Sequence, residues 1–153
     1  MHRTHTCGEL TAAHIGQTVT LSGWVANRRD HGGVIFIDLR DRYGITQTVY
    51  DPLEGSSEAL LALADTYRSE FVVKATGIVR ARPSGQANDK LPTGGIEVMI
   101  SEAIILSESK LPPFEIDDHS QANEEIRLKH RYLDLRRKPV LVVLAQLLRP
   151  HLR

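Results

Sequence analysis

Residues 24–50 read WVANRRDHGGVIFIDLRDRYGITQTVY, and this stretch decides the fold. An apolar, β-branched run over 19–25 leads into it and predicts a strand. The polar group Asn27-Arg28-Arg29-Asp30-His31 follows, and Gly32-Gly33 supplies the backbone freedom for a reversal. Residues 34–39 alternate as a second strand; Tyr43-Gly44 punctuates before a third. Three antiparallel strands joined by short turns make a curved meander. One of its faces carries Arg29, Phe36 and Gln47, which supply a cation, an aromatic plane and a side-chain amide. That combination suits a single-stranded base.

Working outward, strand one is predicted over 18–27, strand two over 34–40 and strand three over 45–51, where Asp51-Pro52 ends it. Ser57 caps a helix over 58–68 whose apolar side holds Leu60, Leu61, Leu63 and Ala64. Residues 70–82 read as strand four, 83–95 as a polar hairpin loop and 96–106 as strand five. Three strands, a helix and two strands is the order of a five-stranded Greek-key barrel, the OB-fold, and not of an SH3-like barrel. The fold class is therefore all-β with one helix. Residues 1–106 form the barrel domain, 107–123 (Pro-containing and acidic) a linker, and 124–153 a C-terminal helical segment. Within that segment a helix is predicted over 124–137. The apolar tail 138–153 would dock on the barrel, a partner or a second copy.

The totals exclude several classes. With 19 basic and 19 acidic residues the chain is formally neutral, which argues against indiscriminate nucleic-acid binding. The lone Cys7 cannot form an internal disulfide, no apolar run could span a bilayer, and the first ten residues lack a signal-peptide core. The expectation is a cytoplasmic protein without membrane contact. His2, His5 and Cys7 are too crowded and one-sided for a structural zinc site, so residues 1–17 read as a polar lead-in. No phosphate-cradling glycine loop and no Ser/His/Asp motif is present. The motifs describe a binding module without catalytic residues, metal or cofactor.

Alternation sets Phe36 with Val34 and Asp38, opposite Ile35, Ile37 and Leu39. Periodicity leaves its role open between a base-stacking platform and core or edge packing. Gln47, alone, is an ordinary surface residue; beside Phe36 its amide can read a base edge. Arg28 and Arg29 stand where an OB barrel presents its groove, which favours a phosphate role. Arg82 shares a face with Arg80 and Ile78. Glu97 points outward, either to pair with an arginine or to accept from a base.

The stretches GWVANRRDHGGVIFIDLRDRYGITQTVYDP, SEFVVKATGIVRARP, TGGIEV, RLKHRYLDLRR and the opening RTHTCGEL closely resemble bacterial-type aspartyl-tRNA synthetases over residues 3–137. The resemblance implies the N-terminal anticodon-binding OB domain followed by a hinge. It places the family's stacking aromatic on Phe36, its base-reading amide on Gln47, its basic contact on Arg29 and its strand-five carboxylate on Glu97. Arg28 retains the middle arginine of an Arg-Arg-Arg run whose first member is Asn27 here. The branch restricted to aspartate tRNA tends to carry Leu at the position of His31 and Lys at that of Gly85. The resemblance therefore implies the relaxed type, with tRNA(Asp) and also tRNA(Asn) as partners. It implies a homodimer, with ATP and Mg2+, only for the full-length enzyme. From Lys138 the likeness stops and no class II motif follows, so this chain alone is expected not to aminoacylate. The rival expectations are a generic single-strand-binding OB module and a regulatory domain that docks through its tail.

Overall fold

Five strands whose apolar residues alternate can bury one face only by curling on themselves. In the computed structural model, which describes residues 3–117, 121–137, 140, 142 and 143, they do so. The strands β1 (Thr18–His31), β2 (Val34–Arg40), β3 (Ile45–Tyr50), β4 (Val72–Ala81) and β5 (Ile96–Ser107) close a barrel in the order β1-β2-β3-β5-β4. All neighbours are antiparallel except β3 and β5, which run parallel. Helix α1 (Glu58–Asp65) joins β3 to β4, completing the predicted OB-fold.

Val19, Leu21, Val25, Ile35, Ile37, Leu39, Val73, Val79, Val98 and Ile100 fill the interior. Each such side chain contributes about 1.5–3 kcal/mol by leaving water. Helix α1 begins at Ser57, whose hydroxyl accepts from the Leu60 N–H at 3.2 Å. Its Leu60 and Ala64 belong to the same core as Tyr50 and Tyr67, whose rings meet edge-on at 5.9 Å. The helix stops at Asp65, short of the predicted Arg68. Thr66 Oγ1 and Arg68 Nη1 donate to the Leu63 and Asp65 carbonyls there, satisfying the open helix end.

Strand β1 is four residues longer than alternation predicts. The polar group at its end pairs fully with β2, Arg28 opposite Ile37 and Arg29 opposite Phe36, and only Gly32 and Gly33 form the turn. Both glycines have positive φ, 65° and 90°, as a two-residue hairpin turn requires. The lead-in reading of residues 1–17 is also corrected. Cys7 and Leu10 are fully buried in the core, and Thr46 Oγ1 donates to the Cys7 carbonyl at 2.7 Å. Burial, with Asp41 adding, pushes the Cys7 thiol well above its ordinary pKa, so it is an inert core group. His2 lies outside the described residues.

The chain divides into two compact units, Met1–Leu111 and Pro112–Arg153. In the second, the predicted linker is partly packed: Phe114 and Ile116 are buried, and the Asp117 carbonyl accepts from Arg137 Nε at 2.8 Å. The single helix expected over 124–137 is two, α2 (Glu124–Lys129) and α3 (Arg131–Asp134), broken at His130. Along an unbroken helix residues 127 and 134 would stand about 10 Å apart. The break lets Arg127 grip the Asp134 carboxylate twice, at 3.0 and 3.2 Å. The docking expected of the tail falls on residues 138–153, most of which lie outside the described residues.

Candidate nucleic-acid interface

Because β1 and β2 pair Arg29 with Phe36, and β2 and β3 pair Asp38 with Gln47, these side chains share the barrel's outer face. Across the next seams β5 supplies Glu97, and β4 supplies Arg80 directly opposite it. One hydrogen-bonded chain then runs through all five strands. Arg29 Nη2 donates to Asp38 at 2.8 Å and to Gln47 Oε1 at 3.2 Å. Gln47 Nε2 donates to Glu97 Oε2 at 2.8 Å, and Arg80 Nε donates to Glu97 Oε1 at 2.7 Å. Glu54, from the turn after β3, holds the outer nitrogen of Arg80.

Phe36 is half-buried and stands apart from the apolar core, which excludes the core packing that periodicity left open. The exposed His31 ring meets it edge-on, with centroids 5.7 Å apart. Gln47 corrects the expectation of a surface residue, being only 6% exposed. Glu97 does face outward, yet it is 1% exposed, and the arginine pairing left open for it is present. Each spends its polar atoms on the other members of the group, Gln47 on Arg29 and Glu97, and Glu97 on Gln47 and Arg80. Arg82 Nε donates to the Ile96 carbonyl at 3.0 Å. Burial lowers the Arg82 pKa; Glu97 and Asp38 oppose that shift and Arg29 adds to it, which places Arg82 in the field of the same cluster.

Arg28 is not brought to this group. Its register partner is Ile37, a core residue, and its guanidinium pairs with Asp65 at the end of α1. Successive strand residues point to opposite faces, so adjacency in sequence separates Arg28 from Arg29. Gly85 is exposed with φ 82° and nothing within 4 Å of where a Cβ would sit. Room exists for a side chain there, at a backbone cost on the order of 1 kcal/mol. Sequence reasoning left Arg80, Asp38 and Glu54 out of the candidate set. Alternation could have found the first two, while Glu54 sits in an aperiodic turn.

A glutamine amide has two donor hydrogens and two acceptor lone pairs. Among the described residues Glu97 takes one donor and Arg29 one acceptor site, which leaves one of each on the barrel face that also carries Phe36. A plane plus an adjacent donor and acceptor is the requirement for holding and reading one unstacked base. Three arginines (29, 80 and 82) face three carboxylates (Asp38, Glu54 and Glu97), so the face is electrically balanced.

The family model for the tRNA anticodon OB-fold nucleic acid binding domain matches residues 19–106, the span from β1 to the end of β5. The chain belongs to that family. The chain is 59% identical over 135 residues to the Aspartate–tRNA(Asp/Asn) ligase of Acidobacterium capsulatum, covering 88% of the chain and 22% of the relative. It is 58% identical, over the same shares, to the Aspartate–tRNA ligase of Listeria monocytogenes. It thus spans 22% of the length of these curated relatives. Overall identity does not separate the two named specificities. Among solved structures, the asparaginyl-tRNA synthetase of Pyrococcus horikoshii superposes with a TM-score of 0.72 at 30% identity, over 89% of this chain and 30% of that one. Among the described residues no cluster of three or more His, Cys, Asp or Glu is placed to hold a metal, and no helix is long and apolar enough to cross a membrane.

Proposed function

We propose that this chain is the anticodon-reading part of an aspartate–tRNA(Asp/Asn) ligase, acting on tRNA(Asp) and tRNA(Asn) in the cytoplasm. The observation that carries it is a half-buried Phe36 ring on the same outer barrel face as a Gln47 amide oriented by Arg29 and Glu97. Phe36 stacks on a loop base, Gln47 and Glu97 read its edge, and Arg29 and Arg82 contact the RNA around it. Arg28, committed to Asp65, takes no direct part. Activation of aspartate with ATP and Mg2+, and assembly as a homodimer, are assigned to the full-length ligase and to no residue here.

The balanced charge of the face favours base reading over the generic single-strand module. A phosphate-tracking groove would show a salt slope growing by about 0.7 per contact. The test is binding of the chain to transcripts of both tRNAs, and to the aspartate transcript with its middle anticodon base changed, at two salt concentrations. Preference for the natural base with a slope near −1 to −2 supports the reading, since about two phosphate contacts give that slope. Equal, steeply salt-dependent binding to unrelated oligonucleotides contradicts it. The relaxed Asp/Asn type is supported by His31, which meets the stacking ring without covering it, and by the open space at Gly85. His31→Leu and Gly85→Lys should each favour the aspartate transcript over the asparagine one by about two- to tenfold, the scale of one altered contact. An unchanged ratio in both variants sinks that assignment.

A further inference from the structure

Resting on this reading of the outer face, we propose that Arg80 is a positioning residue that fixes which way round Gln47 presents its amide. Glu97 stands at the centre of the hydrogen-bonded chain. A carboxylate can only accept, and one that is 1% exposed takes its donors from within the protein. Arg80 Nε meets Oε1 at 2.7 Å, and the second oxygen takes the Gln47 amide nitrogen at 2.8 Å. With its nitrogen held there, Gln47 must turn its carbonyl the other way, and Arg29 Nη2 receives it at 3.2 Å. The donor–acceptor order of the amide is therefore set two residues away from it.

No other guanidinium among the described residues makes that hydrogen bond. Arg82 acts on Glu97 through its charge, but its Nε is committed to the Ile96 carbonyl. Arg29 is committed to Asp38 and Gln47. Glu54 grips the far side of Arg80 and steadies the guanidinium plane. Although burial acts to lower the Arg80 pKa, its bonds to and charge attraction from Glu97 and Glu54 raise it overall, so it stays charged. Without the planar Arg80 Nε donor, Glu97 Oε1 loses the bond that fixes the carboxylate plane, and Oε2 is no longer held in place for the Gln47 amide nitrogen. The Gln47 amide would then lose the fixed donor–acceptor order that it offers a base.

The experiment compares wild type, Arg80→Gln and Arg80→Lys in the full 153-residue chain. First, without RNA, the Gln47 side-chain amide resonances are followed by nitrogen-15 NMR, assigned through their loss in Gln47→Glu. In wild type they should be shifted and slowly exchanging relative to exposed Gln17 and Gln86. In Arg80→Gln they should move to the exposed values while the backbone spectrum stays dispersed. Second, the preference for the natural middle anticodon base should fall about tenfold in Arg80→Gln, the scale of one hydrogen bond to a charged group, with binding of the altered loop unchanged. Should Arg80→Gln not fold, Arg80→Lys keeps the charge but lacks the planar Nε donor, and its Gln47 resonances should still move. Unmoved resonances and an intact base preference in a folded variant overturn the assignment. A wild type without base preference defeats the anticodon reading instead, and the amide resonances still judge Arg80.

Discussion

Asp134 and Glu97, the two most deeply buried carboxylates among the described residues, are used differently. Asp134, 0% exposed, receives Arg127 and Arg137 by hydrogen bonds and Arg131 by charge, all from within ten residues of chain. Glu97 receives one arginine and one amide, from two other strands. The first arrangement saturates its acceptor with charge and staples a short helical segment. The second spends one oxygen on neutralisation and the other on orienting a neighbour. A buried carboxylate closed off by arginines stabilises; one that shares itself with an amide also positions, and Gln47 is the side chain with hydrogen-bonding capacity left over.

The sharpest way to break that contrast is Asp134→Ala. It removes the buried carboxylate that accepts from Arg127 and Arg137 and attracts Arg131, a change on the order of 3–5 kcal/mol. The backbone N–H groups of Leu133 and Leu135, which close the α3 turns, should exchange about two to four orders of magnitude faster, as that energy implies. The same site sets an acid limit. The Arg127 hydrogen bond, opposed by burial and reinforced by Arg137, holds the Asp134 carboxyl below its usual value. A depressed folded-state pKa means the stabilisation is complete above the unfolded value of about 3.9 and is lost as pH falls through the folded one. Protection of α3 should therefore be unchanged between pH 7 and 5 and fall away only on stronger acidification.

Next in size is Phe36→Ala. It removes a stacking plane worth about 1–3 kcal/mol, so affinity for an aspartate anticodon stem-loop should drop roughly 5- to 150-fold. The melting temperature should change little, because the ring stands outside the core. A large thermal effect with intact binding would reverse the roles given to the two faces. Smallest of all is Arg28→Ala. With its guanidinium turned to Asp65, stem-loop affinity should stay within about twofold, the scatter expected of a surface pair. A loss as large as that of Phe36→Ala would return Arg28 to the interface.

Much of the barrel is legible in the sequence because its cause is local. Gly32-Gly33 marks the hairpin, Ser57 marks the start of α1, and Ile35, Ile37 and Leu39 identify the inner face of β2. The site is less legible because its cause is not local. In β3 the run ITQTVY does not alternate, since from Thr46 onward every residue is buried, and Gln47 looks like a surface amide until Glu97 arrives from 50 residues away. Cys7 and Leu10 are single apolar residues in a polar stretch, and only closure of the barrel shows that they belong inside it. The break at His130 likewise follows from where Arg127 must reach, not from the helical spacing of 124–137.

The most direct test crosses protein and base. Wild type and Gln47→Ala are each titrated with the aspartate anticodon stem-loop and with the same loop altered at its middle base. Wild type should prefer the natural loop by tenfold or more, the order of one or two hydrogen bonds to a buried polar group, and Gln47→Ala should lose most of that preference. Equal binding of both loops by wild type, or a preference untouched in Gln47→Ala, would contradict base reading by the outer face.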